Sequence, residues 1–280
     1  MSEAATTMRT FAGSDDLAAD ERAALAELLL ALADDEFVLG FWDSEWTGIA
    51  PALEEDVAYS SIAQDEIGHA RALYELLAAL TGRDADTIAY DRDQTGFRLA
   101  RLLDLDRGDW AQSIARRYLY DTADAVRLTA LARSTYAPLA GLVGKIRREE
   151  AYHLQHFDAW LRRLNTDTQG RARLAASLEA LWPAALDLFT PLAQEATLLR
   201  AGLLPRPFTA LRAEWLAALA PILGPNGLDL PFPARQEADG AYAPTIAPST
   251  GGRTGDHDPA FDRLWHEMTL VYRQEPGATW

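Results

Sequence analysis

Apolar residues recur along this chain at three- and four-residue intervals, the period of amphipathic helix, and no period-two strand pattern stands out. After the N-cap cluster Ser14-Asp15-Asp16, one helical face carries Leu25, Leu29, Leu32, Glu36, Leu39 and Asp43, and Gly48 and Pro51 end that helix. A second helix, about 53–79, aligns Tyr59, Ile62, Glu66, His69 and Leu73, with Gly82 as its stop. Residues 83–95 read as a charged loop, followed by a short amphipathic piece at 97–103. Asp109 caps a third long helix reaching about residue 135, with Ile114, Tyr118, Asp121, Ala125 and Leu128 in line. Pro138 restarts the chain, and a fourth helix to about residue 164 aligns Val143, Ile146, Glu150, His153, Phe157 and Trp160. Helices of some 25 residues are about 37 Å long, the scale of a four-helix bundle.

Beyond the bundle the pattern predicts a fifth helix over 171–200, broken or kinked near Pro183 and Pro191, a sixth over 209–223 and a last over 259–273. Residues 224–256 are dense in Pro and Gly with little periodicity; a loop of that length is expected to be functional or to wrap a neighbour, here as a subunit-contact arm. Residues 1–13, polar and small, are expected to be a flexible leader. The fold class is all-α, one domain over 1–280 with a four-helix core and additional C-terminal helices.

Four carboxylates and two imidazoles interrupt the apolar stripes. Glu66 and His69, three apart on a helix, share a face and can reach one metal ion, and Glu150 and His153 repeat the device. Glu66 follows Glu36 by 30 residues and Glu150 follows Asp121 by 29, so two antiparallel hairpins bring all six residues to one level of the bundle. Two Glu-x-x-His helices with a carboxylate from each of two others make the two-metal site of ferritin-like bundles. A single Glu-x-x-His is common on solvated helix faces; six such residues on apolar stripes are not, because an unpaired buried charge costs several kcal/mol. The expected metal ligands are Glu36, Glu66, His69, Asp121, Glu150 and His153, and the oxygen-rich set suits two iron ions, or manganese. Glu149 competes with Glu150, but its register turns it about a hundred degrees away, toward Lys145.

Composition narrows the classes. The net charge of −16 disfavours nucleic acid and anionic membranes as partners. With 0 cysteines there are no disulfides, thiolate metal sites or cysteine nucleophiles. No apolar run of about 18 residues appears, which makes a soluble cytoplasmic protein the simplest expectation. Among the remaining candidates, His156 and His266 read as ordinary polar contacts and His257, between Asp256 and Asp258, as a surface or interface residue. The pairs Arg116-Arg117, Arg147-Arg148 and Arg162-Arg163 read as solvated helix faces, and Trp42, Trp46, Tyr118 and Trp160 as core.

Several local runs carry a family resemblance: Glu45-Trp46, residues 54–71, Arg92-Asp93, Asp109-Trp110-Ala111 with Ile114-Ala115-Arg116, Tyr152-His153-Leu154 with Trp160-Leu161, and Arg253-Thr254-Gly255 through Glu267-Met268 to Pro276-Gly277-Ala278-Thr279-Trp280. Over nearly its whole length the chain resembles the C subunits of bacterial multicomponent phenylacetyl-CoA epoxidases, the phenylacetate-degradation monooxygenases. The resemblance implies a ferritin-like protein paired with a catalytic A-type partner, whose di-iron site epoxidises the ring of phenylacetyl-CoA. A separate reductase supplies the electrons, and the assembly is a homo- or hetero-oligomer. C-type members of that family are regarded as structural, with most metal ligands lost; this chain departs from them in holding ligand-type residues at all six positions. Two functions follow: a scaffold component of the epoxidase that retains a metal site, or a self-sufficient di-iron oxidase or oxygenase acting on a different substrate. Iron storage is disfavoured, since nothing in the sequence suggests a cage-forming chain. A CoA thioester needs basic partners, and with Lys145 as the single lysine any CoA site must rely on arginines or on a partner chain.

Overall fold

The first two long helices, α1 (Ala19–Ser44) and α2 (Leu53–Thr81), form the antiparallel hairpin that their stripes predict. Glu21 accepts the backbone N–H of Ala18 at 2.8 Å and so ties the start of α1, and Gly82 ends α2 at φ +70°, a left-handed conformation that glycine adopts without penalty. The computed structural model describes residues 9–275 and Ala278; the expected leader's residues 1–8, and Pro276, Gly277, Thr279 and Trp280 of the terminal motif, lie outside the described residues.

Residues 82–109 make the long crossover to the second hairpin, as ferritin-like bundles require. This stretch is more helical than its charge suggests. It contains α3 (Ala85–Tyr90), capped by Asp84 accepting from the Thr87 N–H at 2.9 Å, and α4 (Arg101–Asp104). The second hairpin is α5 (Trp110–Leu131), capped by Asp109 through the Gln112 N–H at 3.0 Å, and α6 (Ala137–Leu164). Together α1, α2, α5 and α6 form the four-helix core of an all-α, ferritin-like fold.

The expected fifth helix divides in two: α7 (Thr168–Ala185) passes through Pro183 into a 3₁₀ turn at Leu186–Phe189, Pro191 lies in the break, and α8 (Glu195–Ala201) follows. Then come α9 (Phe208–Leu223) and, after the Pro/Gly-rich segment, α10 (Pro259–Gln274). That segment holds a small antiparallel hairpin, β1 (Ala234–Gln236) with β2 (Tyr242–Pro244), three residues each and too short to leave a period-two trace. Both its ends are tied to the chain's own helices: Leu230 is buried, Trp182 Nε1 of α7 donates to the Pro231 carbonyl at 2.8 Å, and Arg253 Nη2 lies 2.7 Å from Asp35 Oδ2 of α1. The described part of the expected leader packs against the bundle. Phe11 is buried and its backbone brackets the α5–α6 turn, donating to Thr135 at 2.8 Å and accepting from Ala137 at 2.9 Å. No helix among the described residues is long and apolar enough to cross a membrane.

Candidate metal centre

The two hairpins bring Glu36 of α1, Glu66 and His69 of α2, and Glu150 of α6 together in the middle of the bundle, all four buried. One donor atom from each lies within 4.8 Å of every other. His69 Nδ1 is 3.3 Å from Glu150 Oε1, 3.6 Å from Glu36 Oε2 and 3.8 Å from Glu66 Oε2. The spacing that the sequence predicts is therefore realised for these four residues.

The atoms pointing away from this centre are engaged and those pointing into it are not. Tyr120 donates to Glu36 Oε1 at 2.9 Å, Arg117 donates to Glu66 Oε1 at 2.5 Å, and His69 Nε2 lies 2.7 Å from Glu149 Oε2. Glu36 Oε2, Glu66 Oε2, His69 Nδ1 and both oxygens of Glu150 are buried without a hydrogen-bond partner. Buried polar atoms rarely go unpartnered, and four side chains aiming such atoms at one point fit a cation. The donor set, three carboxylates and one imidazole, suits iron or manganese in its chemistry. The cluster could hold a metal ion.

Asp121 and His153 do not join that group. Arg117, four residues before Asp121 on α5, sets its guanidinium beside them and Glu66: Nη2 is 3.0 Å from Asp121 Oδ1 and 3.5 Å from His153 Nδ1, and Nη1 is 3.3 Å from Asp43 Oδ2. The Asp121 contact is an ion pair without hydrogen-bond alignment, since both Asp121 oxygens lack a hydrogen-bond partner. His153 Nδ1 lies 3.2 Å from both Glu66 Oε1 and Glu150 Oε1, and its Nε2 is 3.2 Å from Asp65 Oδ2. Glu149 and Asp65 thus make a reciprocal pair, each preceding its own helix's ligand glutamate and holding the other helix's histidine. The turn of about a hundred degrees from Glu150 carries Glu149 across to His69 rather than off toward Lys145.

These contacts divide the charge. Burial, with Glu66 close by, pushes Glu36 well above the usual carboxylate range. Burial is the largest single influence on Glu66 too, but Arg117, with Glu36, His153 and His69, together overcome it and hold that carboxyl well below. Burial would lower both imidazoles; Glu150 leads the carboxylates that reverse this, raising His69 strongly and pushing His153 up to about 11. The core of the bundle demands positive charge.

A second buried network leaves no trace in the apolar pattern. In α1, Asp34, Asp35 and Glu36 are consecutive and all buried, each facing a different neighbour because successive helical residues turn by about a hundred degrees. Asp34 takes Tyr74 at 2.6 Å and Arg92 at 2.9 Å; Asp35 takes Arg127 at 3.0 Å and the Ala100 N–H at 2.8 Å; Glu36 faces the centre. Arg116 and Arg117 are not a solvated face: both are buried, whereas Arg147-Arg148 and Arg162-Arg163 are exposed as expected. The sequence does hold a clue, since Arg117 sits one helical turn before Asp121 and on its face. His257 is not a surface residue either, with Nδ1 2.7 Å from buried Asp104 Oδ1, while His156 is half-buried 3.1 Å from Glu55 and His266 is exposed.

A cavity of about 500 Å³ opens on the outside of the α1–α2 hairpin, lined by Phe37, Phe41, Ile67, Tyr74, Tyr90 and Met268 among others. None of the four convergent donors lines it.

The model of the phenylacetic acid catabolic protein family matches residues 8–280. The C subunit of the 1,2-phenylacetyl-CoA epoxidase of Escherichia coli (strain K12) is 33% identical over 259 residues, covering 91% of this chain and 99% of that one. The A subunit of the same organism's epoxidase is 29% identical over 161 residues, 57% of this chain and 52% of that one.

Proposed function

This chain belongs to the phenylacetic acid catabolic protein family, and we propose that it serves as the C-type component of a phenylacetyl-CoA ring-epoxidising complex, partnered by a catalytic A-type chain and supplied with electrons by a separate reductase. The observation that carries this reading is the near end-to-end correspondence with the C-type relative, against about half of each chain for the A-type relative. It disfavours the self-sufficient oxygenase acting on another substrate.

Within that role the bundle centre is a metal site. Glu36, Glu66, His69 and Glu150 would hold an iron ion, which when bound supplies redox chemistry toward dioxygen. The chain's own residues set the site's geometry. Tyr120 and Arg117 each fix one oxygen of a ligand carboxylate and so aim the other inward. With a metal bound, Glu149 would fix the tautomer of His69, keeping the proton on Nε2 and the lone pair of Nδ1 toward the centre.

The test is reconstitution. Ring epoxidation of phenylacetyl-CoA is expected only when this chain is mixed with an A-type partner and the reductase. It is expected to survive Glu66→Ala combined with Glu150→Ala, provided that the variant still assembles. Epoxidation by this chain and reductase alone, lost in the double variant, would replace the scaffold reading with that of an independent oxygenase.

A further inference from the structure

The six sequence-predicted ligands imply two metal ions, and the position of Arg117 does not fit the second. Four of the six converge on one point with unpartnered donor atoms. A second ion would have to draw on Glu66, Glu150, Asp121 and His153, and that space is taken. The Arg117 guanidinium lies 2.5 Å from Glu66 Oε1, 3.0 Å from Asp121 Oδ1 and 3.5 Å from His153 Nδ1. It meets three of the four groups the ion would need.

We propose that Arg117 stands in place of a second metal ion, so that the chain binds one divalent cation, at Glu36, Glu66, His69 and Glu150, and not two. The inference rests on the reading of that cluster as a metal site.

Three features make the substitution durable. A guanidinium stays protonated at any pH a protein survives, so it is a fixed charge and not an exchangeable one. Arg117 is fully buried, with its guanidinium 4.8 Å from the centre of the Phe157 ring, and it makes no contact that solvent could replace cheaply. It also joins the four core helices, reaching Asp43 of α1, Glu66 of α2 and His153 of α6 from its own place on α5. Displacing it would strip the partner from Asp43 and move a buried cation with nowhere charged to go. A divalent ion placed beside it would meet like charge at close range, and the Glu66 oxygen it needs is already bonded.

The experiment is titration of the metal-stripped, full-length chain with Mn²⁺, reading bound metal per chain by elemental analysis and its environment by electron paramagnetic resonance. Wild type is expected to take one Mn²⁺ with the spectrum of an isolated ion. Arg117→Gln, which removes the charge and keeps most of the volume, is expected to take two, with the spectrum of a coupled pair. Asp121→Asn is expected to keep one ion, while His69→Ala weakens binding at least about tenfold, the scale on which perturbing a metal site shows. Two ions in the wild type overturn the proposal, as does an Arg117→Gln chain that folds and still takes one. If that variant does not fold, Asp121→Asn decides: loss of the ion there would make Asp121 a ligand and sink the one-ion site. No Mn²⁺ bound by wild type is a distinct result that removes the metal reading itself.

Discussion

Glu149 Oε2 lies 2.7 Å from Nε2 of His69, joining α6 to α2 across 80 residues of sequence. Glu149 is half-exposed while His69 is buried, so the contact reaches from the rim of the bundle to its centre. A carboxylate on the far nitrogen of a metal-ligating histidine fixes the ring and raises its basicity, and loss of such a partner typically costs about 10–100-fold in metal affinity. Glu149→Ala is therefore expected to weaken Mn²⁺ binding by about that factor with helix content unchanged. Calorimetric titration beside far-ultraviolet circular dichroism checks both. Affinity within twofold of wild type would mean that Glu149 merely decorates the surface.

Gly40 sets how closely α1 can approach α2. A Cβ there would lie 2.8 Å from Ile67 Cγ1, 3.0 Å from the Ala63 carbonyl oxygen and 3.1 Å from Glu66 Cβ. Two opposed effects meet in Gly40→Ala. Alanine gains about 1 kcal/mol in helix propensity, whereas overpacking costs typically about 1–3 kcal/mol. The Ala63 oxygen is backbone and cannot rotate aside, so the steric cost wins. Urea unfolding should show a lower midpoint, and metal affinity should fall with it because Glu66 is one of the displaced neighbours. A midpoint raised by the substitution would show that the helices separate at little cost.

The residues legible in the sequence are those whose partners share their stripe or lie at a matched level of a hairpin. Glu36, Glu66, His69 and Glu150 interrupt otherwise apolar faces, and helical period alone brings them together. Arg117 reads as solvated because an arginine on a helix usually is, and its burial depends on Asp43, Glu66 and Asp121 arriving from three places in the chain. Asp35 is hidden for a similar reason, since Arg253 lies 218 residues away. Segment 224–256 reads as a subunit-contact arm because it lacks periodicity, and Leu230, Pro231 and Arg253 tie it to its own chain by isolated tertiary contacts that leave no pattern.

Asp35, like its neighbour Asp34, engages three partner residues. Its Oδ2 is 3.0 Å from Arg127 Nη1 and 2.7 Å from Arg253 Nη2, and its Oδ1 accepts from the Ala100 N–H at 2.8 Å. Asp35→Ala leaves two buried or nearly buried guanidiniums facing each other without the charge between them. Breaking a buried ion pair from one side costs about 3–5 kcal/mol, and the loss here should fall at the upper end. Chemical denaturation is the direct measurement. Limited proteolysis should also show earlier cleavage within 224–256, since Arg253 is that segment's tie to α1. Wild-type stability in the variant would contradict the role assigned to this network.

Asp43 gives the bundle a pH dependence whose sign can be derived. Burial above all pushes its carboxyl up to about 7, with Arg117 opposing and Glu66 adding to the rise. An unfolded aspartate titrates near about 4, so between about pH 4 and pH 7 the folded chain binds more protons than the unfolded one. Stability must then fall as pH rises through that window, and the loss is complete above the folded value. Asparagine mimics the protonated form and cannot ionise. In metal-free buffer with chelator, the stability of Asp43→Asn relative to wild type is expected to increase from pH 5 to pH 8, with most of the change complete by about pH 7. Urea midpoints of both chains at unit pH steps give the difference. If it stays flat, Asp43 keeps its charge throughout, and Arg117 rather than burial controls it.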